Sequence, residues 1–259
     1  MSTKKEQLKN LTNFLHASIK KESPFYTLES SKKRISLTAN LFRKAYRENT
    51  VVVWRSSFLP TELAFALDFV PFPPESVISM FANSGLGPKV LNVAEDNFQS
   101  RDTCSFLRGT YGAVIKDCLP EPDFLACTSL YCDGSSKLFY ALAQKYRKPY
   151  FYIDVPYHHE HKYALGYVSK QLENMANQMA EAKGVKLDFD KLRQAIIYSN
   201  QAREYFVKIN ELRKTVPAPM LGGEAINYAI MLAPTWGCKE IVEVYKKLYE
   251  ELKERVDKK

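Results

Sequence analysis

The chain has 259 residues, 46% of them apolar and 25% charged, with a formal net charge of +8 and five cysteines. That length buries a substantial core in one large or two modest domains, and the composition is that of an ordinary soluble globular protein. No apolar run approaches bilayer-spanning length, and the N-terminal segment lacks the apolar centre of a secretory signal. A cytoplasmic setting is therefore expected, with cysteines free, metal-bound or catalytic rather than paired.

Five of the eight net positive charges lie within residues 1–34, which hold eight Lys or Arg against three Glu. The remainder is nearly balanced and has no interleaved basic and aromatic motif, so the surplus reads as a solvated extension and no nucleic-acid partner is expected. An anionic small molecule is compatible with it.

Residues 4–20 and 35–48 have helical periodicity, which predicts a basic helical extension over residues 1–50. The short β-branched run "VVVW" at 51–54 predicts a buried strand. Pro60 and "TELAFALDF" predict a helix just after it, with Pro and Thr near its start. "VPFPPESV" reads as a proline-rich turn. Over residues 105–118, Leu107, Tyr111, Val114, Ile115 and Cys118 share one face, as a helix requires. "DFLACTSL" at 123–130 is a second strand, a helix follows over 134–146, and "PYFYIDV" at 149–155 is a third strand.

Strands alternating with helices predict an α/β domain over residues 51–160, with a mostly parallel, flavodoxin/Rossmann-like sheet flanked by helices. Ligands of such sheets gather outside the strands' carboxyl ends, where "YCDG" and "PYHHEH" both fall. After residue 160 the pattern turns helical. Tyr163, Tyr167, Val168, Leu172, Met175, Ala176 and Met179 form one stripe. Asp188 and Asp190 are suited to cap a second long helix running to about residue 213. "TVPAPMLGGE" interrupts, and two further helices are expected between residues 223 and 257.

The five cysteines divide by context. Cys118 lies on an apolar stripe and Cys127 inside a strand, both as core residues. Cys238, near a helix start, reads as structural. Cys104 and Cys132 each stand where a helix begins, with Asp133 as a good N-cap after Cys132. A helix N-terminus offers unpaired N–H groups and positive partial charge, which stabilise a thiolate or an anionic cluster. Their spacing matches neither paired CxxC zinc sites nor the compact ferredoxin run, so the residues alone leave metal ligation open.

Six segments, "LPTELAFALDFVPF", "CSFLRGTYG", "PDFLACTSLYCDGSSKLF", "PYFYIDVP", "LRQAIIYSNQARE" and "LRKTVPAPMLGGE", occur in this order. Together they closely resemble the 2-hydroxyacyl-CoA dehydratase / benzoyl-CoA reductase subunits, over roughly residues 50–257. The resemblance implies a [4Fe-4S] cluster with Cys104 and Cys132 as ligands, a related second subunit, and an ATP-hydrolysing iron–sulfur activator. It implies radical chemistry on an acyl-CoA, in which a ketyl radical makes the β C–H acidic enough for water to leave.

The reductase and double-cubane branches are the alternative within the family. A truncated, non-catalytic α/β scaffold or binding chain is the alternative outside it. The resemblance also implies a third cysteine ligand in a second α/β domain, so residues 161–259 are expected to be connecting helices leading to a domain absent here. The chain departs from the family pattern at Leu67-Asp68-Phe69, where Ala-x-Gly is usual.

Glu62 matches the family's Pro-x-Glu and reads either as an active-site carboxylate or as a first-turn partner of the helix dipole. Ser56, with Ser57, follows the first strand and is placed to bond a thioester oxygen; turn chemistry explains both equally. Lys137 reads as a cluster or CoA-phosphate contact, or as a solvated helix face. His158, His159 and His161 read as metal ligands or a proton relay, or as an exposed loop without fixed geometry. Gly222 and Gly223 read as a turn that opens a helix.

Overall fold

The structure, a computed structural model, describes residues 3–16 and 28–258. Four parallel strands form one sheet in the order β2-β1-β3-β4. They are β1 (Val52–Arg55), β2 (Val70–Phe72), β3 (Phe124–Thr128) and β4 (Tyr150–Ile153). The register pairs Val53 with Pro71 on one side and with Phe124 on the other, and Leu125 with Tyr150. The protein is thus α/β, with a parallel sheet flanked by helices, as its alternating pattern predicts.

Two compact units make up the described residues. The first gathers residues within 1–19, 44–59 and 67–187, and holds the sheet. Its helices are α1 (Lys4–His16), α4 (Pro74–Asn83), α5 (Gly87–Asp96), α6 (Ser105–Ile115), α7 (Asp133–Tyr146) and α8 (Ala164–Lys183). β1 and β3 are fully buried, which is why they read as continuous apolar runs rather than alternating ones. Trp54 is completely buried, stacks on Phe72, meets the Tyr146 ring edge-on at 5.4 Å and donates its indole N–H to the Pro120 carbonyl. Burying a side chain of this size contributes about 1.5–3 kcal/mol.

The second unit gathers residues within 20–43, 60–66 and 188–259 and is helical. It comprises most of α2 (Glu29–Ala45), with α3 (Glu62–Ala66), α9 (Phe189–Leu212), α10 (Gly222–Met231) and α11 (Lys239–Asp257). Its core includes Ala202, Ile209, Tyr228, Leu232, Ile241, Tyr245 and Leu248. Asp188 caps α9 by accepting the Asp190 and Lys191 N–H groups, as the sequence predicts.

The structure corrects four local readings. "VPF" is the edge strand β2, not part of a turn; proline, which lacks an N–H, is tolerated at a sheet edge. α4 begins directly behind it, with Pro74 at its first position. α3 is a single short turn ended where Asp68 adopts a left-handed φ of 58°, a conformation Asp tolerates better than most residues. α6 stops at Ile115, and Asp117, at φ 53°, turns the chain so that Cys118 is buried beyond the helix rather than on it. The helix expected over residues 4–20 is α1, and residues 17–20 lie outside the described residues. No described helix is long and apolar enough to cross a membrane.

Candidate functional site

In this strand order the chain runs from β1 outward to β2, then returns to β3 on the opposite side of β1. The sheet therefore reverses direction between β1 and β3, and open α/β sheets bind ligands outside the carboxyl ends at such a point. Ser56 and Ser57 follow β1 there. Ser129 to Cys132 follow β3.

A buried carboxylate joins these two loops. Glu75, in the first turn of α4, is 7% exposed. It accepts the Ser57 N–H at 2.8 Å, the Ser57 hydroxyl at 2.5 Å and the Ser135 hydroxyl at 2.7 Å. Charge-assisted bonds of this kind are roughly twice as strong as neutral ones. Glu75 thus ties the end of β1 to the first turn of α7, one residue beyond Gly134. The only sequence signal for it was an acidic residue just after a Pro pair, where a helix starts.

Cys132 itself, not Asp133, is the N-cap of α7; Asp133 stands in the first turn. Cys104 is the N-cap of α6. Cys132 is extended at φ −152° and ψ 102°, Cys104 lies at φ −45° and ψ 131°, and neither helix start receives a side-chain cap bond. The first-turn N–H groups therefore keep their donor capacity and positive partial charge. Cys104 is exposed and Cys132 half-buried, so neither thiol is lost in hydrocarbon.

The two helix starts adjoin through Leu107 of α6 and Gly134 of α7. A Cβ on Gly134 would stand 2.5 Å from Leu107 Cδ1 and 4.0 Å from Cys132 Sγ, so the missing side chain lets Leu107 pack directly against the start of α7. Tyr131, just before Cys132, has a φ of 68°; a strained residue of this kind costs about 1–3 kcal/mol and clusters at functional sites. Its ring meets Phe58 edge-on at 5.2 Å, and both rings are exposed.

Cys104 is held from both sides. Glu95 of α5 bonds Arg101 before it at 2.8 Å and Arg108 after it at 2.6 Å. Gly112 of α6 lies so close to α5 that a Cβ there would overlap the Val90 carbonyl.

The remaining thiols behave as core. Burial pushes Cys118 and Cys127 up to about 11 and Cys238 to about 12. Ser56 is buried, and its hydroxyl has no oxygen or nitrogen partner among the described residues; it faces the Cys127 thiol. Glu62 opens α3 in the helical unit, half-buried, and accepts the Ser199 hydroxyl at 2.5 Å. Lys137 is exposed on α7. In the loop after β4, His158, Glu160 and His161 place ligand atoms within 4.8 Å of one another.

The fold and site define a class, that of parallel α/β domains whose strand order reverses beside uncapped, cysteine-headed helices. Comparison makes the class specific. The chain belongs to the family described as 2-hydroxyglutaryl-CoA dehydratase, D-component, whose model matches residues 56–259.

Among its relatives, the (R)-2-hydroxyisocaproyl-CoA dehydratase alpha subunit of Clostridioides difficile is 27% identical over 84% of this chain and 55% of its own length. The (R)-2-hydroxyglutaryl-CoA dehydratase alpha subunit of Acidaminococcus fermentans is 29% identical over 53% of this chain and 30% of its own. A benzoyl-CoA reductase subunit of Thauera aromatica is 27% identical over 78% of this chain and 50% of its own. The chain spans about half the length of the curated relatives it matches, or less.

Proposed function

We propose that this chain is a component of a 2-hydroxyacyl-CoA dehydratase, with Cys104 and Cys132 as ligands to a [4Fe-4S] cluster. The observation that carries the reading is the placement of both cysteines as N-caps without side-chain acceptors, in a chain of this family. Soft thiolates suit iron–sulfur ligation, and two helix N-termini stabilise the negative charge such a group bears. The two thiols fit the group as two of its ligands. Bound there, the cluster supplies low-potential electron transfer to a thioester.

The chain's own residues position and shield. Glu75 fixes the end of β1 and the first turn of α7 against each other, and Gly134 lets Leu107 of α6 pack against the start of α7. Glu62 enters as a candidate carboxylate for acid–base work, oriented by Ser199. Ser56 enters as a candidate donor to the thioester oxygen; its buried hydroxyl must turn outward from Cys127 to serve. The partners we propose are a related second subunit, in keeping with the "alpha subunit" names of the relatives, and an ATP-hydrolysing iron–sulfur activator. The substrate is an acyl-CoA.

A second reading, a benzoyl-CoA-reductase-type subunit, is favoured by the Thauera aromatica relative alone among those described. The testing experiment is anaerobic iron–sulfide reconstitution of the chain, alone and with its partner subunit, followed by iron and sulfide analysis. Iron that is retained, and lost in Cys104→Ala and in Cys132→Ala, supports the cluster. Iron absent under both conditions assigns the chain to a cluster-free scaffold, and iron unaffected by both substitutions removes Cys104 and Cys132 as its ligands. Assay of the loaded complex with 2-hydroxyacyl-CoA and with aromatic acyl-CoA then separates dehydratase from reductase.

A further inference from the structure

The loop between β4 and α8 has a donor set that the dehydratase reading does not use. His158 Nδ1 lies 3.0 Å from Glu160 Oε1, and ligand atoms of His158, Glu160 and His161 all lie within 4.8 Å of one another. A tetrahedral ion with bonds of about 2.0–2.1 Å sets its ligands roughly 3.3–3.5 Å apart. Rotations of exposed side chains close the remaining difference.

The loop is shaped to hold that arrangement. Its backbone is pinned by the His161 N–H on the His158 carbonyl at 3.4 Å and the Ala164 N–H on the His161 carbonyl at 2.9 Å. The rings form a ladder: Tyr157 on His158 at 5.3 Å, His158 on His161 at 5.5 Å, and His161 stacked on Tyr163 at 5.3 Å and 9°. Edge-on and stacked contacts of this kind favour particular ring orientations. His159 stands outside the set, 88% exposed at its side chain, with Nδ1 3.9 Å from Glu160 Oε2.

We infer that His158, Glu160 and His161 form a mononuclear site for a borderline divalent transition ion of the zinc, nickel or cobalt type. Two imidazoles and one carboxylate suit these ions, whereas Mg2+ and Ca2+ require oxygen ligands throughout. Three protein ligands leave a coordination position to water or an added ligand. The ion clips the loop shut at the carboxyl end of β4. The inference does not depend on the cysteine site.

The test is titration of the tag-free full chain, thiols reduced, with Co2+ and with Zn2+. One equivalent of Co2+ is expected to bind, giving visible d–d bands of nitrogen and oxygen ligation without thiolate-to-cobalt charge transfer in the near ultraviolet. Losing even an outer partner of a metal ligand costs about 10–100-fold, so His158→Ala and His161→Ala should each weaken binding at least about tenfold. Glu160→Gln should weaken it too, while His159→Ala leaves it intact and excess Mg2+ does not displace it. All four positions are exposed, so unchanged circular dichroism is expected throughout. Absence of saturable binding, a thiolate band surviving in the histidine variants, or a His159→Ala loss equal to that of His158→Ala overturns the site.

Discussion

The two edges of the sheet are built on opposite plans. At the amino edge polar groups are paired across sequence. Asp123 accepts the Val52 N–H at 2.8 Å and the Lys183 ammonium at 2.5 Å. Lys4 donates to the Thr50 carbonyl at 2.7 Å, and Gln7 bonds both the Asp117 carboxylate and the Glu121 N–H. At the carboxyl edge, two helices start without side-chain caps, one residue is strained and aromatic rings are exposed. One edge is closed for stability. The other keeps donors and thiols available, with Glu75 holding its loops together from beneath.

Substitutions can break or sharpen that contrast. Gly112→Ala should have the largest effect, because the new methyl meets backbone and overpacking costs typically 1–3 kcal/mol even against yielding neighbours; we expect about 3 kcal/mol or more. A fall in urea midpoint at unchanged slope is the readout, and near-wild-type stability would show that α5 and α6 are not locked.

Glu75→Ala should follow, at about 2–3 kcal/mol, since a buried donor left unsatisfied costs about 1–3 kcal/mol. It should also speed alkylation of Cys132, which Gln7→Ala at the other edge should not do. Gln7→Ala should cost about 1–2 kcal/mol in the same denaturation. Equal effects of the two on Cys132 would erase the distinction between the edges.

The thiols give a pH test. Folding favours the neutral forms of Cys118, Cys127 and Cys238, raised from an ordinary 9.0 to about 11, 11 and 12. Their contribution is therefore complete below pH 9.0 and is lost as the pH rises through about 11 to 12. Cys127→Ala should flatten that alkaline decline. In mildly alkaline iodoacetamide, Cys104 and Cys132 should be alkylated well before the other three, as peptide mapping would report. The smallest effect belongs to Lys148→Ala, whose partly exposed pair with Glu121 should be worth about 0.2–1 kcal/mol and less at high salt.

What was legible in the sequence followed physical periodicity. β1, β3 and β4 announce themselves as short runs rich in β-branched and aromatic residues, and the Asp188 cap reads directly from its position before α9. β2 did not, because Pro71 signals a turn unless its pairing partner is known. The cysteines stood out by being outside apolar stripes, although Cys132 rather than Asp133 takes the cap. Glu75 was illegible: no pattern shows that three donors from two distant segments converge on one carboxylate. The histidine loop was legible in composition and not in geometry, since a ladder of rings depends on backbone turns that residue type alone does not dictate.

The unequal support of the two cysteines bears on how the edge can move. Cys104 is bracketed by two arginines on a common glutamate and rides on a helix whose backbone touches its neighbour, so shifting it means carrying α5 along. Cys132 follows a residue whose backbone already sits uphill, and relaxing that one torsion swings the sulfur. Adjustment of the gap between the two sulfur atoms, whatever demands it, is therefore cheapest as a hinge at Tyr131, with Cys104 as the fixed post.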